Sequence, residues 1–344
     1  MTSLAEQHRL REALILGGAA CAALVLAVAL LWMGSRHSGQ VERDGAVLPG
    51  FANHIDDVRT IAIETSDARF ELERDGEGWA LAGRSGFPAD AAMAERVLQN
   101  LANLTFEGSR TRLPSRHPAL GLVAPDAGGE ATHIEVRDYD GVVRADLIVG
   151  QVRGETGVYI RFPGDDQTYA ASGTLTLADE PERWMHLDFL ALGVESIARV
   201  RIRPETGPSY FLERPGLSVR NFALRSPSGW RPITPGAGNG VGAVLSRLRF
   251  RDVRRATFTD PSVAAHLAET FGGLQVELQV FADGDDRWAT IRAVALTDDA
   301  EADALILNET ADGWAFLLSD LTIDRLIRPL NEIAIQRNPA PDTP

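Results

Sequence analysis

Seven histidines and a single cysteine are the side chains here best suited to ligate metals or act as bases and nucleophiles. His8, His37, His54, His117, His133, His186 and His266 form no H-x-H or H-E-x-x-H pair, so a zinc site would need assembly from distant positions. Cys21 stands alone, which excludes an intramolecular disulfide, a Cys-rich zinc site and a C-x-x-C redox pair. All 34 basic residues are arginine, so there is no P-loop lysine, Schiff-base lysine or lysine general base. Asp299, Glu301 and Asp303, and separately Asp283, Asp285 and Asp286, have the oxygens calcium favours. The first group lacks a glycine for the tight loop, and the second surrounds Gly284 where a hairpin turn is expected. Gly236 to Ala243 contains G-x-G-x-x-A, but Pro232-Ile233-Thr234-Pro235 precedes it instead of the buried strand a dinucleotide loop requires. Ser85 in Gly83-Arg84-Ser85-Gly86 is not a G-x-S-x-G elbow. No metal, cofactor or catalytic set is expected. The one enzymatic alternative is an envelope hydrolase assembled from remote residues such as His117, His133 and nearby aspartates.

The elements around these residues are easier to read. Ala13 to Met33 is a run of 21 uncharged residues, about 30 Å as a helix, the thickness of a bilayer core. Its nine Leu, Ile and Val residues supply about −3 to −5 kcal/mol of insertion free energy. Cys21 is followed by twelve further apolar residues, unlike a lipidated cysteine, and Gly34 to Gln40 offers no A-x-A cleavage site. The run therefore reads as an uncleaved anchor. Gly18, Ala19, Ala22, Ala23 and Ala27 give it a small-residue face on which a second helix could pack. The whole chain carries a net charge of −14, which disfavours nucleic acid as a partner.

Beyond the anchor, alternation at Ile61/Ile63, Phe70/Leu72 and Trp79/Leu81 predicts strands, with a turn at Asp75 to Gly78. Met93, Val97, Leu101 and Leu104 predict an amphipathic helix beginning near Asp90. Hairpins are expected at Thr132–Val149 and Val158–Ala171, then a short helical stretch around Trp184. The order then repeats about 140 residues later. Ile197, Val200 and Ile202 open it, Phe211-Leu212-Glu213-Arg214 echoes Phe70 to Arg74, and Gly229-Trp230 echoes Gly78-Trp79. A helix is expected through Val241, Leu245, Leu248 and Phe250. Val276–Phe281 with Trp288–Val294 is expected to repeat the second hairpin, and Leu305–Leu307 with Gly313–Leu317 the third. Leu321, Leu326 and Leu330 lie in a closing helix. A period of this length is a domain duplication, not a solenoid.

Trp79, Trp230 and Trp314 each follow a glycine and begin a strand. Such residues either close the end of a sheet core or remain exposed as anchors for a partner.

The I-x-I strand, F-x-L-E-R, G-x-G-W-x-L, Leu120-Gly121-Leu122, Ile148-Val149-Gly150 and Val158-Tyr159-Ile160-Arg161 together resemble the domain-of-unknown-function 4340 family of bacterial envelope proteins. The resemblance spans residues 58 to 192 and, more loosely, 197 to 333; the second copy lacks the Leu-Gly-Leu run. It implies no established activity, and an accessory role beside ABC-type transporters of the gliding-motility kind.

The expected architecture is α+β. A cytoplasmic N-terminus (1–12), a transmembrane helix (13–33) and a tether (34–54) precede two tandem, internally duplicated modules (55–193 and 194–336) of antiparallel hairpins with amphipathic helices. Residues 337–344 form an unstructured tail. The expected location is the bacterial inner membrane, single-pass, with the modules in the periplasm. The expected function is a non-catalytic scaffold or transporter accessory that contacts an integral membrane or envelope protein. The alternative is a small-molecule or glycan-binding module.

Overall fold

Strand alternation and short polar turns favour antiparallel pairing, and two antiparallel sheets dominate the computed structural model, which describes residues 43–76 and 78–337. The fold is α+β. The expected anchor with its small-residue face, the N-terminal segment and the tail from 338 lie outside the described residues. Among the described residues no helix is long and apolar enough to cross a membrane. One compact unit takes the chain up to Glu71 together with Ala92–Asp179; the other takes Leu72–Ala91 and the chain from Glu180 onward.

The first sheet is built from β1 (Val58–Glu64), β2 (Arg69–Asp75), β3 (Gly78–Leu81), β4 (Phe87–Pro88), β5 (Thr105–Ser109), β6 (Thr132–Asp138), β7 (Val143–Arg153), β8 (Gly157–Arg161) and β9 (Thr168–Ser172). Their order is β4-β3-β2-β1-β6-β7-β8-β9-β5. Register follows the apolar alternation. Ile61 faces Val136, Ile63 faces Ile134, and Ile134 faces Leu147, all fully buried. Helix α1 (Ala91–Ala102) buries Ala94, Val97, Leu98 and Leu101, the stripe its 3.6-residue period predicts.

The second sheet contains β10 (Ile197–Arg203), β11 (Tyr210–Glu213) and β12 (Ala223–Ser226). It is completed by β14 (Val253–Arg255), β15 (Ala264–Thr270), β16 (Leu274–Asp283), β17 (Asp286–Ala295) and β18 (Trp314–Leu317). The order is β12-β11-β10-β15-β16-β17-β18-β14, while β13 (Trp230–Pro232) pairs separately with β19 (Ala334–Gln336). In both sheets a strand that comes early in sequence, β5 or β14, crosses to close the far edge beside β9 or β18.

Four local expectations are corrected. Residues 241–250 form only the end of the four-residue helix α2 (Asn239–Gly242) and a following 3-10 turn, then continue without regular secondary structure. Four glycines between 236 and 242 weaken a longer helix. A Cβ on Gly242 would also lie 2.5 Å from the Phe222 ring, so this backbone is placed by close packing. Leu305–Leu307 is not a strand; it lies within helix α3 (Glu301–Ala311), whose Ala, Glu and Leu content favours helix. Asn308 fixes that helix to β17, accepting from Ala293 N–H at 2.8 Å and donating to Ala293 C=O at 2.9 Å. Finally, the strand beside β10 is β15, so the hairpin in the place of β6–β7 is β15–β16 and not β16–β17. The closing helix is split into α4 (Asp320–Leu326) and α5 (Leu330–Ile333), with Pro329 between them.

Candidate functional site

The described histidines are engaged by their own surroundings. His133 Nε2–H donates to Asp146 across the β6–β7 hairpin at 2.7 Å. His117 is buried and donates to the Asp166 carbonyl at 3.0 Å. His54 lies 3.2 Å from Asp57, and His186 lies 3.7 Å from Asp90. His266 is wholly buried on β15, and its Nδ1–H donates to the Leu326 carbonyl at 2.8 Å. Burial pushes its pKa down from 6.5 to about 4, with the Leu326 bond opposing that fall, so the ring is neutral. The rings of His117 and His133 bond to no hydroxyl among the described residues, and no group of three His, Cys, Asp or Glu there is arranged to hold a metal.

The tryptophans divide by burial. Trp79 is 2% exposed, with the Arg74 guanidinium 4.7 Å from its ring centre. Trp314 is 7% exposed, held between Arg255 at 3.7 Å and the edge of Phe87 at 5.0 Å. Both rings close sheet cores. Trp230 is half-buried on β13 and alone of the three keeps substantial exposed surface. The arginine that ends each L-E-R run covers an aromatic ring: Arg74 covers Trp79, and the buried Arg214 lies 4.6 Å from the Phe222 ring centre. Arg214 also donates to the Val194 and Ile197 carbonyls, fixing the end of β11 to the start of β10. Its burial holds its pKa below the usual arginine range, partly countered by Glu195.

Leu120-Gly121-Leu122 has a packing role. Leu122, Ala131 and Ile148 form a buried cluster with Leu120, Ala124 and Tyr159 against it. A Cβ on Gly150 would collide with the Leu120 carbonyl and meet Leu122 at 2.9 Å, so the bare backbone of β7 lets this loop lie flat on the sheet. In the second sheet only eight residues link β14 to β15, against 22 between β5 and β6, which leaves no room for an equivalent loop.

Two clefts in the second unit gather arginines and carboxylates. A cleft of about 440 Å³ is lined by Arg287, Arg328, Glu205, Asp285, Asp320 and Asp324. Its cations are consumed internally: Arg287 bonds Glu205 at 2.5 Å, and Arg328 bonds Asp324 at 2.7 Å. The other cleft, about 590 Å³, is lined by Arg247, Arg249 and Arg251 with Ser319 and Thr322; Leu187, Phe250 and Leu317 supply apolar surface. Of its three carboxylates, Asp252 and Glu182 are bridged by Arg84 at 2.5 and 3.2 Å, leaving Glu180. Sequence reading missed this cleft because it assigned the Arg-Leu-Arg-Phe-Arg run to a helix. The strict alternation of charged and apolar residues was the available signal.

The architecture is thus an antiparallel α+β protein whose recurring motifs serve turns, packing and arginine–aromatic contacts. The chain belongs to the family described as Domain of unknown function (DUF4340), whose sequence profile matches residues 79–266. No curated protein and no solved structure matches the chain.

Proposed function

We propose that this chain is a non-catalytic, membrane-anchored periplasmic scaffold or accessory subunit, serving an ABC-type transporter or a related envelope complex. The uncharged run Ala13–Met33 carries the reading: it is long enough to span a bilayer. The N-terminus then stays in the cytoplasm and the remainder lies across the inner membrane. The strand order common to the two sheets supports a pair of duplicated modules. Their histidines and several of their arginines make internal contacts that organise the fold. An accessory subunit contributes surface, and half-buried Trp230 is one available contact. The test is an enzymatic reporter fused after Pro344 that works only outside the cytosol. Activity is expected with the intact chain, and activity confined to cytosolic reporters contradicts the topology. A ligand-binding reading is favoured by one observation, the arginine-lined cleft.

A further inference from the structure

We propose that the cleft walled by Arg247, Arg249 and Arg251 binds a ligand carrying more than one phosphate group. Leu248 and Phe250 are each 2% exposed and Arg247, Arg249 and Arg251 are exposed, so burial alternates along this segment and the three arginines are turned away from its packed side. The backbone beneath them is fixed, because Phe250 N–H donates to Leu187 C=O at 3.0 Å and Arg251 N–H to Leu317 C=O at 2.9 Å. The row is therefore set in place before any ligand arrives.

None of these three guanidiniums meets a carboxylate among the described residues. Arg84, Arg144, Arg199, Arg287 and Arg328 are each paired with a carboxylate, whereas this row keeps three cations side by side without one. Arg84 also occupies the two acids that would otherwise neutralise the row. Ser319 and Thr322, whose hydroxyls are hydrogen-bonded to each other at 2.9 Å, leave one hydroxyl proton as a further donor to the same space. Planar guanidinium forks match tetrahedral phosphate oxygens in pairs. With Glu180 facing the cleft, a lone carboxylate gains little, whereas a diphosphate meets several forks together. The volume suits a small ligand, and Leu187, Phe250 and Leu317 offer contact to its uncharged part. The phosphate chemistry is common to a soluble phosphoester and a lipid headgroup.

The test is isothermal titration of the full chain in detergent micelles with inorganic pyrophosphate, orthophosphate, short-chain diacylglycerol pyrophosphate and a polyglutamate peptide. Saturable binding of pyrophosphate, tighter than orthophosphate and weakened by salt, is expected. Arg249→Gln should weaken it about 10-fold or more, the loss of one charge-assisted bond. Arg220→Gln, exposed and outside the cleft lining, should not weaken it. Binding of diacylglycerol pyrophosphate alone, lost in Arg249→Gln, upholds the site and assigns its ligand to a headgroup. Absence of binding by every phosphate probe, wild-type affinity in Arg249→Gln, or titration by polyglutamate only overturns the proposal. None of these outcomes depends on the membrane topology.

Discussion

Acid should destabilise the second sheet through one residue, His266. Above pH 6.5 its imidazole is neutral in both folded and unfolded chains, so it makes no pH-dependent contribution. Between 6.5 and about 4 the unfolded chain binds a proton that the buried ring refuses, so stability falls with pH. At about 1.4 kcal/mol per pH unit, the gap is worth at most about 3.5 kcal/mol, most of it lost by pH 4. The position amplifies the effect. His266 pairs with Ile202 and Leu278 in the sheet and holds the Leu326 carbonyl at the end of α4, while Tyr210 donates to Arg328 C=O at 2.7 Å just beyond. His266→Phe removes the titration and also the Leu326 bond, a pH-independent loss of about 1 kcal/mol. Urea unfolding followed by tryptophan fluorescence at about pH 7.5 and about pH 4.5 measures the difference. Wild type should lose about 2 to 3 kcal/mol more than His266→Phe over this interval. Equal losses would refute the assignment of a neutral buried imidazole.

Four further outcomes follow from the same geometry. The Asp138 carboxyl is held below its usual 3.8, despite burial, by the Val142 and Asp140 amides and Arg144; a separate loss of stability is therefore expected below about pH 3.8, absent in Asp138→Asn. Gly150→Val should lift the Leu120–Leu122 loop from β7, read as faster amide exchange at Leu122 and Ala131 and a loss of about 1–3 kcal/mol. Trp184→Ala removes a fully buried indole and should cost about 3–5 kcal/mol in the urea experiment. Arg84→Gln frees Asp252 and Glu182 beside the arginine row, so pyrophosphate affinity should fall although Arg84 is not among the cleft-lining residues.

Strands were the most legible part of the sequence because each sheet buries one set of alternating residues. Ile61/Ile63 and Val200/Ile202 occupy such positions. The echo at Phe211 was one residue out of register: Tyr210 and Leu212 are the buried pair, and period-two reasoning alone does not choose the face. The α3 helix was read as a strand because Leu305 and Ile306 are apolar yet exposed, while the residues that pack are Ala304 and Ala311. A short apolar triplet does not distinguish helix from strand. The arginine cleft was hidden for a tertiary reason. The exposure of Arg247, Arg249 and Arg251 depends on Leu248 and Phe250 being buried, and Arg84 reaches Asp252 across 168 residues.

Chemical crosslinking of the intact protein in its native membrane, with mass-spectrometric identification of its neighbours, tests the accessory role most directly. A transporter or other integral envelope protein should be captured reproducibly, with crosslinks to residues beyond the anchor. Crosslinking that yields no such membrane neighbour, from a chain shown to be folded, would contradict the account.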